Sequence, residues 1–329
     1  MHIKNFLKNT LRLFHRHQSS FKDLYIISLG REGSTLLAEM LNAQKGVRLV
    51  PEPLLNTSVN IKVLEDYFND EFISDRYLDL DDRDFENLLH YFRDLSQMKT
   101  SNSIHWTDLR SRNHNFKTNR TVFKTHRLTY LFDDMLQALD AQGLYLIRHP
   151  ISHSLSRMRL NWDTYIDEYM VGVKIKNHIS EQALYKAQSI QATGSRLQKY
   201  VLNWCLENFV FLNGINSNTL KKNLAVLSYE EIIAYPEKTV SSLISGFGFS
   251  SEEAMLAQIR IPSSGIVHST QDTSNQIRKG KTNLLLNSWR SKISDDEEKS
   301  AFEILEIFGF NLYQAGNDLP TGNCLLQDL

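Results

Sequence analysis

Five short apolar segments recur along the 329-residue chain, and most of them are followed by a helical pattern. Strands that alternate with helices form a parallel sheet, because parallel neighbours need a crossover connection that packs on a face of the sheet. We therefore predict an α/β fold: a single three-layer domain with a central parallel sheet of about five strands and helices on both faces. The predicted strands are Leu24–Leu29, Val47–Val50, Thr121–Lys124, Leu144–Ile147 and Leu224–Leu227.

Polar residues follow each predicted strand. The carboxyl ends of parallel strands share one edge of a sheet, and ligands bind outside that edge. Several of the polar segments carry basic or imidazole side chains, which would converge there. We expect the functional site at this edge. The segments are Gly30–Thr35, Pro51–Pro53, Lys124–Arg127, Arg148–Pro150 and Ser228–Glu231.

Charge and cysteine content limit the partners. The formal net charge is −1, so no global basic field attracts nucleic acid or an anionic membrane. The two cysteines, Cys205 and Cys324, are far apart and lack metal-ligand spacing, which argues against a disulfide framework and a zinc site. No apolar run is long enough for a signal peptide or a transmembrane segment. We expect a cytoplasmic protein with a local binding site.

The sequence divides into three parts. We predict an N-terminal extension over residues 1–22, a main domain over 23–315 and a C-terminal tail over 316–329. Within the domain, the second and third strands are separated by far more residues than an ordinary loop contains. This insertion, at about 55–118, begins acidic and ends basic, a pattern typical of a solvated helical cap. It is our candidate lid for recognising an acceptor.

The first predicted strand passes into a helix through Gly30-Arg31-Glu32-Gly33-Ser34-Thr35. Glycines and hydroxyl residues at a helix start are typical of a nest of backbone N–H groups that binds an anion. A Walker A loop is excluded, because the two glycines are too close together and the lysine is missing. No aspartate ends a partner strand to hold magnesium, and the G-x-G-x-x-G pattern of dinucleotide sites is absent.

With Arg31, Gly33, Ser34 and Thr35 at this turn, the chain resembles sulfotransferases that use 3′-phosphoadenosine 5′-phosphosulfate (PAPS), whose fold is similar to that of P-loop NTPases. The resemblance implies that these residues bind the 5′-phosphosulfate. Arg148, with Ser156 eight residues later, resembles the pair that holds the 3′-phosphate. Such a pair suits a phosphate because a guanidinium forks onto it while a hydroxyl donates from the same side. Glu32 departs from the family, where a small residue is usual.

Further segments extend the resemblance over most of the chain. The stretch FKTHRL implies His126 as the base that takes the acceptor's proton and Lys124 as the contact to the leaving phosphate. The stretch PEPL is similar to the carbohydrate-modifying and bacterial branches, which makes Glu52 the second candidate base. Tyr229 is implied as a neighbour of the adenine. The stretch IRKGK near the C-terminal end of the domain resembles a family loop that closes over the 3′-phosphate. The resemblance implies that Arg278, Lys279 and Gly280 contact that phosphate.

The resemblance implies transfer of a sulfuryl group from PAPS to a hydroxyl or amine of a small-molecule or saccharide acceptor, with no metal ion. The catalytic candidates are then His126, Lys124, Arg31 and Glu52, and the choice of base between His126 and Glu52 stays open. Two alternatives remain: a P-loop small-molecule kinase, and a nucleotide-binding module without activity.

Overall fold

The computed structural model describes residues 2–55, 59–68, 80–105, 115–217, 223–264, 271–279 and 282–321. The strands are β1 Arg16–His17, β2 Leu24–Ser28, β3 Val47–Pro51, β4 Lys117–Thr118, β5 Arg120–Thr125, β6 Gln142–Ile147 and β7 Leu224–Ser228. The described α-helices are α1 His2–Phe14, α2 Ser34–Asn42, α3 Ile61–Glu65, α4 Asp82–Ser96, α5 Phe132–Ala138, α6 Pro150–Arg159, α7 Ile166–Val171, α8 Val173–Lys176, α9 Glu181–Thr193, α10 Arg196–Glu207, α11 Phe209–Ser217, α12 Tyr229–Ala234, α13 Pro236–Phe247, α14 Glu252–Ile259, α15 Gln271–Arg278 and α16 Asp295–Ile307. Short 3₁₀ helices lie at Ser101–Ser103, Thr282–Leu285 and Arg290–Lys292.

The main sheet has five parallel strands in the order β3-β5-β2-β6-β7. Each of the five predicted strands is confirmed, with ends that differ by two residues at most. The central strand is β2, in which Leu24 pairs with Val122 of β5 and with Gln142 of β6. The segment after β2 therefore lies between the segments that follow β5 and β6. A second sheet, which the sequence did not indicate, pairs β1 with β4.

Helices cover both faces of the sheet, so the predicted three-layer α/β architecture is confirmed. Side chains alternate across a strand, and β2 illustrates this: Tyr25 and Ile27 join one hydrophobic cluster, whereas Leu24 and Ile26 join the other. The first cluster packs the sheet against α4, α5, α10 and α16. The second packs it against α2, α12, α13 and α14.

The described part of the predicted insertion contributes to the core. Helix α4 buries one face, and its Phe92 ring contacts Tyr25 of β2 and Phe123 of β5. The buried guanidinium of Arg48 on β3 donates to the carbonyl oxygens of Leu95 and Ser103. These contacts tie the insertion to the sheet edge. Within the described ranges, no helix has both the length and the apolar character that crossing a membrane requires.

Candidate active site at the carboxyl edge of the sheet

A cavity of about 540 Å³ opens at the carboxyl ends of the strands. Small-molecule sites are usually roughly 300–1,000 Å³. Among the described residues that line it, five carry basic or imidazole side chains and none is acidic. The lining residues predicted from the sequence are Arg31, Gly33, Ser34, Thr35, His126, Arg148, Ser156 and Tyr229. Four strand-end segments therefore meet here, as the sequence predicts.

The loop after β2 turns tightly at Arg31 and Gly33, which have φ angles of 82° and 96°. Gly33 precedes α2, and a Cβ atom on it would lie 2.4 Å from Cδ2 of Tyr229. Both the positive φ and the close ring require glycine. The first N–H groups of a helix have no acceptor within the helix. The start of α2 therefore offers backbone donors at the cavity wall.

The side chain of Glu32 anchors the loop Gly30–Thr35 to the protein interior through two hydrogen bonds. Its side chain is fully buried, and its two oxygens accept hydrogen bonds from the Leu29 backbone N–H at 2.7 Å and the Trp204 indole at 3.3 Å. Burial raises the pKa of Glu32 to about 8, and the nearby carboxylates of Glu207 and Glu230 act in the same direction. At neutral pH the side chain is therefore uncharged. The glutamate that departs from the family pattern connects the loop to α10.

A second group of polar side chains lies after β3 and β5. Lys124 and His126 both face Glu52, whose Oε1 is 2.9 Å from Lys124 Nζ and 3.0 Å from His126 Nδ1. The other ring nitrogen of His126, Nε2, is 2.9 Å from Ser34 Oγ at the start of α2. Because a carboxylate oxygen of Glu52 lies next to Nδ1, we assign the proton of the neutral ring to Nδ1, which leaves the lone pair on Nε2 to accept from the Ser34 hydroxyl.

The charge of Glu52 follows from the same contacts. Burial would raise the pKa of its carboxyl, but at the acid pH where Glu52 titrates, His126 is protonated, and its charge, the charge of Lys124 and the hydrogen bonds of both outweigh burial and lower the pKa to about 2. The carboxylate is ionised near neutral pH. Lys124 is 8% exposed and does not line the cavity, whereas His126 does. Of the three residues in this cluster, His126 is the one that lines the cavity.

Arg31 links the residues that the sequence assigns to the two ends of a nucleotide. Its Nε donates to Ser156 Oγ at 3.2 Å, and its carbonyl oxygen accepts from Arg148 at 3.0 Å. The Arg148 guanidinium lies 4.5 Å from the centre of the Tyr229 ring. Burial lowers the pKa of Arg31, and the charges of Arg148 and Arg159 lower it further. The cavity wall is therefore electropositive.

Two of the residues predicted to bind the 3′-phosphate do not line the cavity. Arg278 and Lys279 are exposed at the end of α15 and do not line the cavity, although their neighbour Ile277 does. Gly280 is outside the described residues. Three lining residues that the sequence did not single out are Trp162, Arg159 and Lys292. The ring of Trp162, which is 40% exposed, packs against Gly30. Arg159 could have been predicted from the sequence, because it lies one helical turn after Ser156 and therefore on the same side of α6.

Many solved structures are similar to the chain, and three of them illustrate the likeness. A sulfotransferase domain from the Synechococcus PCC 7002 olefin synthase is 18% identical, with a TM-score of 0.43, over 90% of this chain and 98% of that domain. One from the curacin biosynthetic pathway is 17% identical, with a TM-score of 0.46, over 90% and 100%. A mouse sulfotransferase complexed with PAP is 14% identical, with a TM-score of 0.42, over 92% and 88%.

No curated protein sequence is similar enough to match this one. The sequence model of the sulfotransferase domain family matches residues 21–302, which is most of the chain. This match includes all the strand-end segments that line the cavity and the segment that contains Glu52. The chain belongs to the sulfotransferase family.

Proposed function

We propose that this sulfotransferase moves a sulfuryl group from PAPS to a hydroxyl or amine of a small-molecule or saccharide acceptor. The observation that carries the proposal is one cavity in which the loop Arg31–Thr35, the pair Arg148 and Ser156, and the imidazole of His126 meet. The first two groups suit a nucleotide with negative charge at two positions. The third suits an acceptor that must lose a proton.

The residues fit the donor's nucleotide. The start of α2 supplies backbone donors next to Arg31, where helix polarity favours an anion. Nε of Arg148 is buried and has no hydrogen-bond acceptor among the described residues, so it is available to a phosphate. The Tyr229 ring lies between Gly33 and Arg148, beside the wall that both ends of the nucleotide would contact.

The donor supplies a sulfuryl group whose transfer leaves negative charge on its phosphate. Arg31 and the N–H groups of Gly33, Ser34 and Thr35 stabilise that charge in a preorganised site. Lys124 forms an ion pair with Glu52, and its charge helps to keep that carboxylate ionised. The family resemblance implies that Lys124 contacts the leaving phosphate, although its side chain does not line the cavity in this structure.

The geometry favours His126 over Glu52 as the base. A carboxylate whose pKa is held below its ordinary value by its cationic neighbours is a weak base for the proton of an alcohol near pH 7. Glu52 is instead a positioning residue: its carboxylate beside Nδ1 of His126 keeps the proton on that nitrogen and the lone pair on Nε2. Nε2 receives the acceptor's proton when the acceptor's hydroxyl takes the place of Ser34 Oγ. The carboxylate and imidazole of a serine-protease triad divide these roles in the same way.

Ligand-induced stabilisation tests the donor assignment. We expect adenosine 3′,5′-bisphosphate to raise the melting temperature in the absence of metal, since a ligand at 100 times its Kd adds about 2.7 kcal/mol to folding stability. ATP with magnesium is the comparison ligand. If ATP with magnesium stabilises the protein and the bisphosphate does not, the site belongs to a kinase and the proposal is wrong.

A further inference from the structure

Two cations line the cavity outside the residues assigned so far. Arg159 lies at the end of α6, one turn after Ser156, and Lys292 lies in the 3₁₀ helix Arg290–Lys292. Neither forms an ion pair with a carboxylate in the described part of the chain. Arg290, by contrast, is neutralised by Asp318 at 2.8 Å. The two cations are therefore available to an anion in the cavity.

The charges of these residues act on one another. Lys292 and Arg159 are exposed at the rim of the cavity, where partial desolvation lowers the pKa of Lys292 and the charges of Arg159 and Arg148 lower it further. The same two arginines act on Arg31. Like charges gathered around one cavity repel one another, and a bound anion with more than one negative charge relieves that repulsion. A phosphate monoester is such an anion.

The structure holds Lys292 close to Arg148. Trp289, which is buried, stacks on His149 with 4.5 Å between ring centres, and His149 directly follows Arg148. The backbone N–H of Lys292 donates to the carbonyl oxygen of Trp289 at 2.9 Å. The buried ring pair therefore fixes the short helix that carries Lys292 against the end of β6.

We propose that Arg159 and Lys292 join Arg148 and Ser156 in binding the 3′-phosphate of the nucleotide. They take the role that the sequence assigned to Arg278 and Lys279, which do not line the cavity. The proposal rests on the proposed function, because it names the residues that distinguish a 3′-phosphorylated donor from one without that group. It makes Arg159 and Lys292 determinants of nucleotide specificity.

Binding of two nucleotides tests this assignment. The dissociation constants of adenosine 3′,5′-bisphosphate and adenosine 5′-phosphate are measured by calorimetry for the wild type, Arg159→Gln, Lys292→Gln and the double variant. We expect each single change to weaken bisphosphate binding about tenfold, the value of one charged hydrogen bond, and to leave monophosphate binding unchanged. Lys292→Arg keeps the charge and should retain most of the preference. Melting temperatures without ligand confirm that each variant is folded.

Two lysines serve as comparisons. Lys299 is exposed on α16 and does not line the cavity, so Lys299→Gln should bind both nucleotides like the wild type. Lys279→Gln tests the rival position. The inference is overturned if Lys279→Gln removes the preference for the bisphosphate, or if Arg159→Gln and Lys292→Gln preserve it. A wild type that shows no preference at all would instead refute the proposed donor.

Discussion

Two glutamates flank the site and differ in charge at neutral pH: Glu32 is fully buried and neutral, whereas the side chain of Glu52 is 13% exposed and ionised. Glu32 contacts an amide and an indole, and its pKa is raised to about 8. Glu52 contacts Lys124 and His126, and its pKa is lowered to about 2. Burial favours the neutral form in both cases, so the neighbouring charges decide the outcome. One glutamate supports the loop, whereas the other positions the base.

The largest expected effect comes from replacing Glu52 by glutamine, and the same replacement of Glu32 is the comparison. Glu52→Gln should lower kcat by about 10²- to 10⁴-fold, because the wrong tautomer of His126 becomes accessible, as in a triad that loses its carboxylate. Glu32→Gln should have a much smaller effect, since that side chain is already neutral. Initial rates at saturating donor and acceptor measure both. Equal losses in the two variants would contradict the contrast between them.

Removing a cation beside Glu52 should reduce stability. In Lys124→Met the carboxylate keeps only His126 as a partner, and breaking a buried pair costs about 3 kcal/mol or more. In the wild type, the stability due to Glu52 is present above pH 4.5 and is lost as the pH falls towards 2. The variant should lose stability at a higher pH, because the pKa of Glu52 is less depressed. Urea unfolding between pH 3 and 7 measures this, and overlapping curves would oppose it.

Glu32 should give stability the opposite dependence on pH. Its carboxyl ionises near pH 4.5 in the unfolded chain but stays protonated to about pH 8 in the fold, so stability falls as the pH rises between these values. Between pH 6.5 and 8, Glu32→Gln should reduce the slope by up to about 1.4 kcal/mol per pH unit. Glu230, whose pKa is raised to about 7, contributes a slope of the same sign that the variant retains. An unchanged slope would show that Glu32 is ionised in the fold.

The smallest effect is expected from Ser34→Ala. The hydroxyl contacts Nε2 of His126, but the tautomer is fixed from the other side by Glu52. Losing one neutral hydrogen bond is worth about 1 kcal/mol, which corresponds to a loss of kcat below about tenfold. Steady-state kinetics with Ser34→Thr, which keeps the hydroxyl, provides the control. A loss as large as that of Glu52→Gln would mean that Ser34 positions the histidine.

The sequence predicted the parts of the site that depend on local pattern. The strands could be recognised as short apolar segments. Arg148 follows β6 and Ser156 lies on α6, and the structure places both in the cavity wall, as their spacing suggested. The contact between Glu52 and His126 depends on β3 lying next to β5. The pattern of apolar residues along the sequence does not predict the order of the strands in the sheet. The sequence therefore offered the two residues as rival bases, whereas the structure shows them in contact.

The remaining features depend on residues far apart in the sequence. Glu32 is explained by Trp204, which lies 172 residues later. Lys292 lies in the cavity wall three residues after Trp289, which stacks on the distant residue His149. The β1–β4 pair has two residues in each strand, too few to show any alternation. Packing partners of this kind determine charge states and positions that a local pattern does not contain.

Transfer of labelled sulfate from PAPS, measured in the wild type and in His126→Ala, tests the central claim most directly. With a cell extract as the source of acceptors, the wild type should form labelled products that mass spectrometry identifies. His126→Ala should transfer about 10²- to 10⁴-fold more slowly, the usual value of a general base, while it binds adenosine 3′,5′-bisphosphate normally. Rapid transfer by His126→Ala, or tight nucleotide binding by a wild type that transfers nothing, would contradict the account.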